Sequence, residues 1–148
     1  QTIAPAVAQR DAAIAAVTAE YNSLLADVDT RKTERIQQIN ADYDSTIEAL
    51  DNGAAALIAA AANLTDANQQ AAILQLAYNY LVVGKYLMDV YKAEALARVD
   101  QLAAEETQAI EDQYNNNLDQ IEADFQASIA NAKDVRNAAF EACHNQGG

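Results

Sequence analysis

An apolar pattern that only a helix can gather on one side runs through the first part of this chain. Ile14, Val17, Tyr21, Leu25, Val28, Lys32, Ile36, Ile39, Tyr43, Ile47, Leu50, Ala54, Ile58 and Ala61 recur at steps of three and four that sum to eleven, and the same frame extends back through Arg10 and Ala6 to Ile3. Eleven residues in three turns is about 3.67 per turn, so the stripe implies a straight or slightly right-handed coiled coil and not the left-handed heptad type. Pro5 suits the first turn of such a helix, where its missing N–H has no partner to lose. The spacing therefore predicts a helix over about 5–62. Asp51-Asn52-Gly53 would ordinarily mark a turn, but the phase crosses it without a slip. The expectation is a helix that continues and is weakened at 51–53, Gly53 costing about 1 kcal/mol relative to alanine.

Asn63-Leu64-Thr65-Asp66 is the better turn. Thr65 or Asp66 can accept hydrogen bonds from the free amides opening the next helix, and Gln69 or Gln70 can reach back. A second helix then runs over about 67–142, and Ile110, Tyr114, Leu118, Ile121, Phe125, Ile129 and Ala132 repeat the four-and-three spacing. Asn115-Asn116-Asn117 is where it could break. The fold class is all-α, an antiparallel bundle or coiled coil of long helices in one domain over 1–148. A reversal at 63–66 pairs residues whose numbers sum to roughly 129, placing Lys32 near Asp100 and Arg10 near Asp119. The likeness between Ile39-Tyr43-Ile47-Leu50 and Ile110-Tyr114-Leu118-Ile121 leaves an ancient duplication open, although any two helices sharing such a frame would align as well.

The composition agrees. Of the 148 residues 51% are hydrophobic and 21% charged, with 4 Gly and 1 Pro, too apolar for disorder and too poor in turn formers for a β fold. The formal charge of −13 repels nucleic acid and anionic membranes, which excludes nucleic-acid partners; it leaves weak divalent-cation binding open.

Residues 71–91 are the most apolar stretch. Ile73, Leu76, Tyr80, Val83, Leu87 and Val90 form one stripe, and Leu74, Ala77, Leu81 and Met88 a second beside it. No charge lies between Asp66 and Lys85, yet five Asn and Gln side chains interrupt the run, which argues against a membrane span. The expectation is a buried core helix with partners on two sides, in which Ile73, Leu76, Tyr80, Val83, Leu87 and Met88 line the core or an apolar ligand site.

Chemistry-bearing motifs are few. His144 is the only histidine, so the Glu-x-x-His pairs of a di-metal bundle cannot be assembled. Asp42-Tyr43-Asp44 and Asp51-Asn52-Gly53 are only fragments of a calcium loop. Cys143 and His144 are adjacent, point apart on a helix and have no orienting acid, so neither a catalytic pair nor any other catalytic group, cofactor site or metal site is assigned and the chain reads as a non-enzyme. Cys143, the only cysteine, can at most join two chains. Asn63-Leu64-Thr65 is a glycosylation sequon, and the chain begins at Gln1 without an initiator Met, as after removal of a signal segment; together these suggest secretion.

With its acidic, cysteine-poor sequence and long repeating helices, the chain resembles secreted matrix polypeptides such as those of ciliate trichocysts. Its eleven-residue periodicity also resembles that of exchangeable lipid-binding proteins, although the lysines that would flank a lipid-facing stripe are missing. Two functions follow as expectations. The first is a secreted structural protein that acts by self-assembly, as a homo-oligomer or with another helical protein. The alternative is a carrier or surface-active protein for lipids or other apolar small molecules.

Overall fold

A computed structural model describes residues 3–145, and it is all-α. Helix α1 spans Ile3–Ala62 and helix α2 spans Ala67–Asn145, packed against each other antiparallel. Gly53 and Asn115 to Asn117 all lie inside helix, with none of the described residues at positive φ. The turn uses side chains in place of a left-handed glycine cap. Asn63 Nδ2 donates to the Ala59 carbonyl, which the end of α1 would otherwise leave free, while the amides of Asn68 and Gln69 donate to Asp66 Oδ1 at 2.8 and 3.0 Å. Asp66 is thus the N-cap of α2.

The chain's internal packing groups into two compact units. One of them, Asp29–Ala104, contains the turn. Its frame residues Lys32, Ile36, Ile39, Tyr43 and Ile47 are half-buried and Leu50, Ala54 and Ala61 buried, facing buried Ala77, Val99 and Ala103 from α2; only Ile58 falls outside, exposed. The seam is narrow because the two helices come close at two glycines. A Cβ on Gly84 would lie 2.6 Å from Leu50 Cδ2, and one on Gly53 would lie 2.9 Å from Tyr80 Cε1. Each helix therefore sets a large side chain over a glycine of the other, which explains why a residue that reads as a weak point keeps the helical phase.

Polar ties hold the same unit along one flank. Lys85 Nζ lies 2.7 Å from Asp51 Oδ1, the Tyr43 hydroxyl donates to Asp89 Oδ1 at 2.6 Å, Lys92 Nζ sits 4.3 Å from the centroid of the Tyr43 ring, and Lys32 Nζ meets Asp100 Oδ1 at 2.9 Å. The hydrogen bond to Asp100 raises the Lys32 pKa, and the one to Asp89 raises that of Tyr43, each helped by the carboxylate's charge.

The second unit joins Gln1–Val28 to Glu105–Gly148. Val28 is buried, and Val17, Tyr21 and Leu25 are half-buried against the half-buried Ile110, Tyr114, Leu118 and Ile121. Tyr21 stacks on Tyr114 with centroids 4.5 Å apart, and the Tyr114 hydroxyl shares a hydrogen bond with Thr18 Oγ1 at 3.1 Å. Arg10 corrects an expectation. Its guanidinium lies 4.5 Å from the centroid of Phe125 and is hydrogen-bonded to its neighbour Asp11, where pairing with Asp119 was anticipated.

That difference has a physical origin. In both units the contacting residue numbers sum to a few more than 129, as in Lys32 with Asp100 or Tyr21 with Tyr114. Side chains on a helix lean towards its N-terminus, so in an antiparallel pair both partners lean away from each other's level and meet at residues later in each chain. Lys32 with Asp100 survives this shift and Arg10 with Asp119 does not.

A candidate interaction face

The stretch 71–91 is not a buried core helix. Only one helix is available to cover it, and α1 takes the second of its two stripes: Ala77 is buried and Leu81 and Met88 are half-buried, with Leu74 at the edge. Of the stripe expected to line a core or ligand site, Ile73 is half-buried, while Leu76 (52%), Tyr80 (43%), Val83 (54%) and Leu87 (58%) are exposed. Among the described residues fifteen large hydrophobic side chains are exposed, and ten of them lie between Leu74 and Tyr91. This is a concentration of uncovered apolar surface and not the scatter that any soluble protein shows.

The rest of that side of the hairpin follows from the Tyr80–Gly53 approach. Helical spacing puts Ala49, Ala56 and Ala60 on the same flank of α1 as Gly53, and all three alanines are exposed. The face therefore consists of a ridge of large side chains on α2 beside a floor of small ones on α1. It carries no charge between the turn and Asp42 or Glu94, while Lys85, Asp89 and Lys92 reach α1 around the other flank of α2.

The other sites flagged in the sequence are placed apart from it or have ordinary partners. Asn63 and Thr65 of the sequon are both exposed in the turn. Cys143 is a free, exposed thiol near the end of α2, where Val135 and Phe140 are also exposed. Many carboxylates are engaged along their own helix: Gln38 donates to Asp42, Gln108 to Asp112, Gln120 to Asp124 and Gln126 to Glu122, each one turn away. Among the described residues no three His, Cys, Asp or Glu gather as metal ligands would, and no helix is long and apolar enough to cross a membrane. A concavity of about 90 Å³ between Arg10, Ile121 and Phe125 is well below the several hundred Å³ of a typical small-molecule site.

What the sequence reading missed is the floor. Its only legible signal was a pair of glycines, Gly53 and Gly84, each inside an unbroken helical phase and at matching levels across the turn. No protein-family model matches the chain, and neither a curated protein nor a solved structure gives a match.

Proposed function

We propose that the chain is a non-enzymatic helical protein that acts by association with other helices, as a structural or assembly component outside the cell. One observation carries this reading: the ridge from Leu76 to Leu87 is apolar, uncharged and uncovered. A pair of helices offers each only one covered side, and among the described residues no large side chain is fully buried. Covering the ridge is worth roughly 25 cal/mol per Å² of apolar surface, and unlike the flank where the exposed Leu74, Tyr78 and Val82 give way to Lys85 and Asp89, the ridge stays uncharged through Leu87. The accessible sequon at Asn63 and a thiol free to cross-link at Cys143 support the extracellular part of the proposal.

Sedimentation velocity at micromolar concentration tests it. The wild-type chain is expected to sediment above its monomer mass, and the Leu76→Ser, Leu87→Ser double variant as a monomer of unchanged helicity. A wild-type monomer carrying a co-purified lipid would replace assembly by the carrier function. Produced through a secretory pathway, the chain is expected to carry an N-glycosidase-sensitive mass that Asn63→Gln abolishes.

A further inference from the structure

We infer that the ridge and floor receive a second copy of the same chain, the ridge of each copy seated on the floor of the other; the inference rests on the assembly reading above and names its partner. The face is self-complementary. About half of each of Leu76, Tyr80, Val83 and Leu87 is uncovered, and the floor beside them holds nothing larger than alanine. Ridge against ridge would hold two hairpins apart and leave Ala49, Ala56 and Ala60 facing a gap, forfeiting the dispersion contacts of a packed interface. Ridge on floor fills it.

A two-fold axis parallel to the helices makes that exchange twice, the isologous arrangement in which one patch serves both partners. The four ridge side chains expose roughly 400 Å² by the usual size of such groups, and with the alanines and Val90 the face reaches roughly 600 Å², the size of a small interface beside the ~800 Å² per partner of a standard one.

Charge points to the same occupant. Residues 52–84 hold a single charged side chain, Asp66, while the whole chain carries −13, so −12 lies elsewhere. An uncharged face gives a basic partner nothing to pair with, and an anionic bilayer would be repelled by the remainder. Two copies can meet there without bringing carboxylates into the contact. Their acidic remainders still repel at longer range, so the association strengthens as salt rises.

The test uses the full chain with Cys143→Ser, so that introduced thiols are the only ones. Ala49→Cys and Val83→Cys chains are mixed and oxidised; the expected product is a disulfide between the two variants, with little from either alone. Self-cross-linking of Val83→Cys alone, in a protein that does sediment as a dimer, would overturn the ridge-on-floor inference and leave the assembly reading standing. Ala56→Glu, at an exposed position, is expected to keep its helicity and weaken dimerisation at least about 30-fold, the effect of losing one strong interface residue. A dimer indifferent to Ala56→Glu also refutes the inference, and a wild-type chain that stays monomeric at high salt refutes the inference and the assembly reading together.

Discussion

Replacing Gly84 with alanine sets two effects of similar size against each other, and the Leu50 side chain decides between them. Alanine gains about 1 kcal/mol over glycine in a helix interior. Here its methyl would lie 2.6 Å from Leu50 Cδ2 and 3.0 Å from Cδ1, well inside the roughly 3.5–4.0 Å optimum for carbon pairs. Leu50 is only 9% exposed and cannot swing into water without losing its burial, so overpacking of about 1–3 kcal/mol is expected. The single variant should be neutral to about 2 kcal/mol less stable.

Leu50→Ala alone should cost about 2–3 kcal/mol, near the low end of the range for buried leucines because the seam is open at its sides. Placed in that background, Gly84→Ala meets no obstruction and should restore about 1 kcal/mol. The double-mutant cycle thus has a coupling of about 1–3 kcal/mol, in the range of residues in direct contact. Urea unfolding followed by circular dichroism, at several protein concentrations to separate association from folding, measures it. If Gly84→Ala stabilises by about 1 kcal/mol in both backgrounds, the helices do not approach closely at this point.

Gly53 should behave differently, because the atoms it meets are the far end of the half-exposed Tyr80 ring, which can swing aside; Gly53→Ala is expected to lie between neutral and about 1 kcal/mol more stable by thermal unfolding. Val99→Ala should cost about 1.5 kcal/mol for two buried methyl groups, and Leu87→Ala less than about 0.5 in the monomer, a contrast readable in denaturant midpoints at low concentration. The pKa values of Tyr43 and Lys32 are raised on folding, so both contacts contribute stability that is fully present below the unfolded values and is lost as pH rises through the folded ones. The melting temperature should therefore fall above about pH 10, less steeply in Tyr43→Phe; an identical alkaline fall in that variant would show that the Asp89 contact does not form in solution.

The two helices, their ends and the turn were legible because each rests on a local signal: the eleven-residue frame, Asp66 as a cap, and a phase that ran unbroken through Gly53 and the three asparagines. Asp66 accepts the amides of Asn68 and Gln69 as such a cap should. The cross-chain register was not legible to the residue, since the lean of side chains moves contacts along both helices, as Arg10 shows by meeting Phe125. The stretch 71–91 was misread for another reason. Its hydrophobicity reports how much apolar surface wants covering, whereas burial depends on how many helices are there to cover it, and the fold supplies one. Leu76 and Val83 were thus rightly singled out as a stripe and wrongly expected inside. Gly53 shows the converse: a residue that looks like a flaw in one helix makes room for Tyr80 of the other.

A seam of small residues leaves a mark on the protein's heat capacity. The most buried side chains are chiefly alanines and valines, with Leu50 the largest, and the other large apolar groups keep part of their surface in water, so unfolding one chain exposes less new apolar surface than is usual for its length. The heat-capacity increment should fall below the usual ~12–15 cal/mol/K per residue, giving a flat stability curve and a melt broad for 148 residues. Any process that covers the ridge adds its apolar area to that increment. Calorimetric traces should accordingly sharpen and their baselines separate as concentration rises, so the curvature of stability with temperature becomes a gauge of how much of this protein's hydrophobic surface is shared between molecules.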